Sequence, residues 1–197
     1  MARAEPAAAM RAYRQGRRAE AAEARTEAIL EAALALFEAK PYDQITLAEV
    51  AERAGVGLQT VIRRVQTKDG LVRALNGWAV ERIGEARGAP HSADPEIVTL
   101  ALERQYERYG TVIDRTIRQE ELSPALAEGA RGGRRAHAAW VEAAFADAIA
   151  ARGPLLRAQL IALCGVELWL VLRRDVGLSA DDTREAVADL IRGVLPT

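Results

Sequence analysis

Cysteine is nearly absent: Cys164 is the only one in 197 residues. An internal disulfide is therefore impossible and a cysteine zinc site is not expected. A reducing cytoplasm is the setting this predicts. Histidine is almost as scarce, with only His91 and His137, and neither falls in a metal-ligand pattern. There is no glycine-rich phosphate loop and no nucleophile elbow, so neither an enzyme nor a cofactor is expected. Aromatic residues make up only 5%, while Ala, Leu, Arg and Glu abound, which favours helix over sheet. The most apolar stretch, Leu155 to Leu172, is interrupted by Arg157, Gln159 and Glu167. Its longest charge-free run falls short of the roughly 18 residues of a membrane span. Residues Met1 to Arg18 have no apolar segment, so a secretory signal is not expected either.

What is present is a globular composition, 50% hydrophobic and 28% charged, with a formal net charge of −1. The charge is unevenly spread. Residues 1–80 carry 12 Lys/Arg against 10 Asp/Glu, and residues 81–197 carry 15 against 18. Five arginines (Arg3, Arg11, Arg14, Arg17, Arg18) face Glu5 alone in the first 18 residues, and Arg53, Arg63, Arg64 and Lys68 lie in a stretch without acid. Local patches of this kind can meet nucleic-acid phosphates whatever the net charge, because screening limits each contact to about a Debye length.

Nearly every segment reads as helix. After a basic, flexible arm (1–22), Ile29, Leu30, Ala33, Leu36 and Phe37 mark one helix face that ends at Pro41. Thr46 with Glu49 is a capping box opening a short helix. Gly55 breaks it before a second short helix from about Gly57 to Arg64. Thr67 caps a connecting helix (69–88), whose end lies in a Gly- and Pro-containing linker. The remainder (89–197) reads as a helical regulatory domain. It contains a helix pair over Pro95 to Glu121, a helix restarted at Ser123-Pro124 with a break expected near Gly129, Gly132 and Gly133, a helix from Leu155 to Asp175, and a last helix after Ser179. The fold class expected is all-α in two parts.

The segment Thr46–Lys68 carries the functional signal. Ala51 is small where two helices cross, Gly55 supplies the turn, and Val61 packs back onto the first helix. Two short helices crossing at about 90–120° require such spacing. That arrangement lets the second helix enter a major groove of double-stranded DNA. The run from Ala28 to Leu75 (AILEAALALFEAKPYDQITLAEVAERAGVGLQTVIRRVQTKDGLVRAL) resembles the DNA-binding domain of the tetracycline-repressor (TetR) family. The shared features are the first helix, Tyr42, the capped Thr46, the Ala-Glu-Arg-Ala-Gly-Val turn and the Lys68-Asp69 pair.

The resemblance implies a three-helix helix-turn-helix domain (23–68), a helical ligand-binding and dimerisation domain, and repression relieved by a small molecule. It assigns phosphate contacts to Thr60 and Lys68, and puts Leu58 and Gln59 where relatives reach base edges. Gln can pair with adenine and Leu can touch a thymine methyl. Thr46 is expected to offer its hydroxyl or N–H to phosphate, and Ile62, Arg63 and Arg64 complete the DNA-facing set. Ile62 and Arg64-Val65 depart from the family's usual tyrosine and Tyr-Phe, and Pro41 from its glycine, so base preferences do not carry over.

The stretch Leu155–Leu172 is apolar nearly all round, which predicts burial all round and hence a second copy of the chain as cover. Tyr106, Tyr109, Ile113, Trp140 and Glu167 are the candidate lining for a mainly apolar effector. Glu167 is the expected buried charge, with Arg118 or His137 as its partner, or else a cationic effector. The competing reading is a helical DNA-binding or adaptor protein without an effector.

Overall fold

The computed structural model describes residues 5–90 and 92–195. They form ten α-helices joined by short turns, with no strand among the described residues. The chain divides into two compact units, Met1–Leu75 and Asn76–Thr197.

In the first unit, α1 (Glu5–Ala39) is one continuous helix. It incorporates most of the segment expected as a flexible arm, because the Glu-, Arg- and Ala-rich sequence has strong helix propensity and no proline between Pro6, which the first turn tolerates, and Pro41. The core is the face bearing Ile29, Leu30, Ala33 and Phe37, met by α2 (Leu47–Arg53) and α3 (Leu58–Val65). Tyr42, in a single 3-10 turn, is buried against Phe37 at 6.3 Å between ring centroids. Helix α4 (Lys68–Arg87) begins in this unit and ends in the other.

The join between α3 and α4 is sharp. Gln66 adopts φ 62° and ψ −52°, and the Thr67 N–H donates to Val65 O at 2.6 Å. Thr67 Oγ1 then caps α4 by accepting from Gly70 N at 3.0 Å. Gly70 is obligatory there, since a Cβ would stand 1.9 Å from Val65 O.

The second unit packs α5 (Pro95–Arg118) against α6 (Pro124–Ala144) and α10 (Ala180–Val194), with α7 (Ala146–Arg152), α8 (Pro154–Leu163) and α9 (Val166–Leu170) filling the remainder. Its core gathers Leu102, Phe145, Leu160, Trp169 and Ile191, each at most 1% exposed. Ion pairs fasten α5 to the C-terminal elements: Glu103–Arg184 at 2.7 Å, Glu107–Arg173 at 2.8 Å and Glu96–Arg192 at 2.6 Å.

Three expectations are corrected here. Pro95–Arg118 is one helix, capped by Asp94, rather than a pair. Helix α6 runs straight through Gly129, Gly132 and Gly133. Its apolar face (Leu126, Ala130, Val141) is buried, and packing outweighs the propensity cost of the glycines. The expected helix Leu155–Asp175 is broken, because Gly165 is extended at φ −73° and ψ 152°. The adjoining Cys164 carbonyl accepts from Tyr106 Oη at 2.8 Å, and a π-helical turn, Val171–Asp175, follows α9. By length and composition alone Pro154–Asp175 is long and apolar enough to cross a membrane. Its buried face nevertheless belongs to the unit's core.

Candidate functional site

The geometry of α2 and α3 follows from three buried residues and one turn. Val50 and Val61 are fully buried and Ala51 is 3% exposed, while Gly55 takes φ +65°. That backbone region favours glycine over any residue with a Cβ. The opposite face of α3 is turned out. Leu58 is 41% exposed and Ile62 36%, and Gln59, Arg63 and Arg64 are exposed with them. Apolar side chains standing at the surface beside amide and guanidinium groups are poor water-facing residues, and they suit a groove that offers both methyls and hydrogen-bonding edges.

Arg63, Arg64 and Thr60 also line an open depression of about 410 Å³ together with Arg25. Arg64 is anchored by donating to the Ala22 carbonyl of α1 at 3.2 Å. Three guanidinium groups and a hydroxyl around one depression offer an anion a cluster of donors, and a phosphate supplies the opposite charge with matching acceptors. Arg25 was not legible as part of this set. It lies on α1 one turn before Ile29, and only the folded helix brings it to α3.

Two sequence candidates have narrower roles than expected. Thr46 Oγ1 accepts from Glu49 N at 3.2 Å and donates to Glu49 Oε2 at 2.9 Å, while the Thr46 N–H donates to the same oxygen at 2.9 Å. Hydroxyl and N–H are thus both engaged by the cap. The hydrogen bond from Lys40, then those from Thr46, hold the Glu49 carboxyl at a pKa of about 2. Lys68 is half-buried. Its ammonium lies 4.1 Å above the Tyr42 ring and donates to Asp43 O at 3.2 Å, while Tyr42 Oη donates to Asp69 at 2.8 Å. Desolvation lowers the Lys68 pKa, and the remaining ammonium protons stay available.

In the second unit, Tyr106 is buried in the core with Ile113 and Trp140 packed against that core, and Tyr109 is buried one turn along α5. Glu167 is exposed, against the expectation of a buried carboxylate. Gly165 resets the phase of the helix, so Val166 and Trp169 turn inward instead. Glu167 acts on His137 and Arg118 only through space. The buried charge has the opposite sign: Arg87, at the end of α4, is 6% exposed. It hydrogen-bonds His137 Nδ1 at 2.9 Å and lies 4.3 Å from the Trp140 ring centre, and Trp140 Nε1 donates to Gly88 O at 2.9 Å. Cys164 is fully buried and its thiol is pushed up to about 12 by burial.

An all-α chain with an exposed recognition helix in a helix-turn-helix defines a DNA-binding transcription regulator. Residues 29–75 match the model of bacterial regulatory proteins, tetR family. The fold is similar to that of a TetR transcriptional regulator from Rhodococcus sp. RHA1, with 22% identity, a TM-score of 0.53, and 87% of this chain and 95% of that one covered. It is also similar to the multidrug binding protein EbrR, crystallised with imidazole, at 21% identity and a TM-score of 0.58, covering 87% of this chain and 89% of that one. No curated protein matches the chain. Residues 29–75 thus form the DNA-binding domain of a bacterial regulatory protein of the tetR family, and the whole chain shares the fold of such regulators.

Proposed function

We propose that the chain is a cytoplasmic, homodimeric repressor that binds a palindromic operator and releases it when a small, mainly apolar molecule binds the second unit. The observation that carries the DNA half is the exposed row Leu58, Gln59, Ile62 and Arg63 on α3 beside the arginine-lined depression. Leu58 and Gln59 read bases, Thr60, Arg64, Arg25 and Lys68 hold phosphates, and Ile62 and Arg63 complete the groove contact. A dimer supplies two recognition helices for two half-sites. Leu155 at 71%, Val171 at 44%, Val176 at 60% and Leu190 at 45% exposure give α8 to α10 an uncovered apolar face, and a second copy covers it. Helix α4 begins in one unit and ends in the other, so it is the path for coupling. A hundredfold release of operator needs about 2.7 kcal/mol of preference for the non-binding state.

The test is selection of bound sequences from a random DNA pool, followed by operator titration. A two-fold symmetric motif is expected, and recovery of no motif refutes the proposal. Gln59→Ala changes the preferred sequence at about 1–3 kcal/mol per affected base pair, whereas Lys68→Ala weakens all sequences alike and lowers the salt slope by about 1. For the dimer, Val171→Glu with Leu190→Glu gives monomer in sedimentation. Leu168 packs against the unit's own core and is unsuited to that test.

A further inference from the structure

The partners of Arg87 are all neutral. His137 Nε2 lies 2.9 Å from the Ile161 carbonyl, which can only accept. The proton therefore sits on Nε2, and Nδ1 is a lone pair receiving the guanidinium. Burial lowers the His137 pKa and so keeps the ring neutral. The neutral Tyr106 hydroxyl favours the Arg87 charge from nearby, while Trp140 offers only its ring face. Arg87 Nε is buried with no hydrogen-bond partner at all. Among the described residues no carboxylate pairs with this guanidinium. Every arginine tying α5 to the C-terminal elements, by contrast, has one. Arginine stays protonated in any such setting, and a buried charge without a counter-charge is costly. The negative end of the α4 dipole compensates in part only.

We infer that Arg87 is the anchor of a carboxylate-binding site in the second unit, whose ligand is an apolar monocarboxylic acid. The proposal rests on the effector reading above and gives that effector its charge. A carboxylate fits the planar fork through two parallel hydrogen bonds and uses the idle Nε–H. A monoanion matches because the site holds one cation beside a neutral histidine, whereas a dianion would leave a charge in apolar surroundings. His137 and Trp140 are the half-buried members, so the acid enters from their side and replaces His137 at the guanidinium. Its apolar body lies against the Trp140 ring that flanks the guanidinium. A buried carboxylate at Glu167 would have allowed a cationic effector, and Arg87 reverses that sign.

The test uses the full-length protein and calorimetric titration with octanoate, decanoate and benzoate, each beside its alcohol, plus octylamine. At least one acid is expected to bind about tenfold or more tightly than its alcohol, a difference that Arg87→Gln abolishes. If no acid outbinds its alcohol, or if Arg87→Gln keeps the preference, the site is refuted. Should Arg87→Gln fail to fold, His137→Asp decides the matter, since it puts an internal carboxylate in the place of Nδ1. It is expected to melt higher than the wild type and to lose about tenfold in acid affinity. Unchanged acid affinity refutes the proposal. Operator titrations alongside separate the two readings. Acid bound without change in operator affinity overturns the effector role and leaves the site standing, whereas release by the alcohol or amine alone keeps the effector role and overturns this ligand class.

Discussion

The two units handle positive charge in opposite ways. In the first, Arg63 and its neighbours project from α3 around a depression with no acid on its rim. In the second, Arg173, Arg184 and Arg192 are each clamped to a glutamate of α5. Exposed pairs of this kind stabilise by about 0.2–1 kcal/mol, so they fix the register of helices more than they supply energy. Unpaired surface cations cost nothing while hydrated, and they remain available to phosphate. Charge that serves the fold is neutralised within the fold, and charge that serves a partner is left open. Arg87 is the exception in the second unit, being unpaired yet buried, and for that reason it points to a ligand.

The largest effect that tests this contrast concerns backbone fit. Gly70→Ala would drive a Cβ to 1.9 Å from the Val65 carbonyl, where only the backbone can yield. A loss of about 3 kcal/mol, the upper end of overpacking costs, is expected, with operator binding abolished and the helices of the second unit retained. Gly129→Ala is the counterpart there. Its Cβ meets the Asn76 side chain at 2.5 Å, and that side chain can swing away. The main loss is its hydrogen bond to Ala125 O, 3.1 Å long, worth about 1 kcal/mol. Thermal melts of both variants decide, and equal losses would break the distinction.

Much of the first unit was legible because its determinants are local. Thr46 with Glu49, Gly55, and Thr67 with its cap each act within about one helical turn, so residue type and spacing suffice. Gly70 escaped notice because its neighbour Val65 approaches only after the chain doubles back at Gln66. The second unit was less legible for the same kind of reason. Glu167 in an apolar run looked buried, but the break at Gly165 rotates it outward, and nothing in Leu155–Leu172 other than one glycine announced that break. Arg87 carries no local signal that sets it apart from any cation at a helix end. Its burial depends on Trp140 and His137, about fifty residues away in sequence. The glycines of α6 were misread because propensity was visible and the packing that overrules it was not.

A smaller effect concerns acid stability. Glu49 has a pKa of about 2 in the folded chain against an ordinary 4.5. The folded state thus binds fewer protons than the unfolded chain between those values. Its contribution to the first unit is complete above about pH 4.5 and is lost as pH falls toward 2. Glu49→Gln should flatten that part of the pH dependence of melting, with little change in the second unit. Glu107, held below its ordinary range chiefly by Arg173, should show the same sign in Glu107→Gln. Wild-type acid profiles in both variants would show that neither pair matters to stability.

The smallest expected effect is a gain, and it rests on another difference between the units. In the second unit the positive-φ positions are glycines, Gly88, Gly153 and Gly177, whereas the first uses Gln66 at φ 62° beside Gly55. A residue with a Cβ held there stores strain of order 1–3 kcal/mol. Gln66→Gly releases that strain but restores roughly 0.5–1 kcal/mol of unfolded-chain entropy. The balance is a stabilisation of about 1 kcal/mol, a few degrees in the melting midpoint. The turn separates α3 from the fixed start of α4, so relaxing it should also loosen the presentation of the recognition helix. Operator affinity is then expected to fall slightly while stability rises. Opposite signs in those two measurements mean that the strained turn serves DNA binding. A loss in both means that the glutamine side chain itself supports the fold, and the strain argument fails.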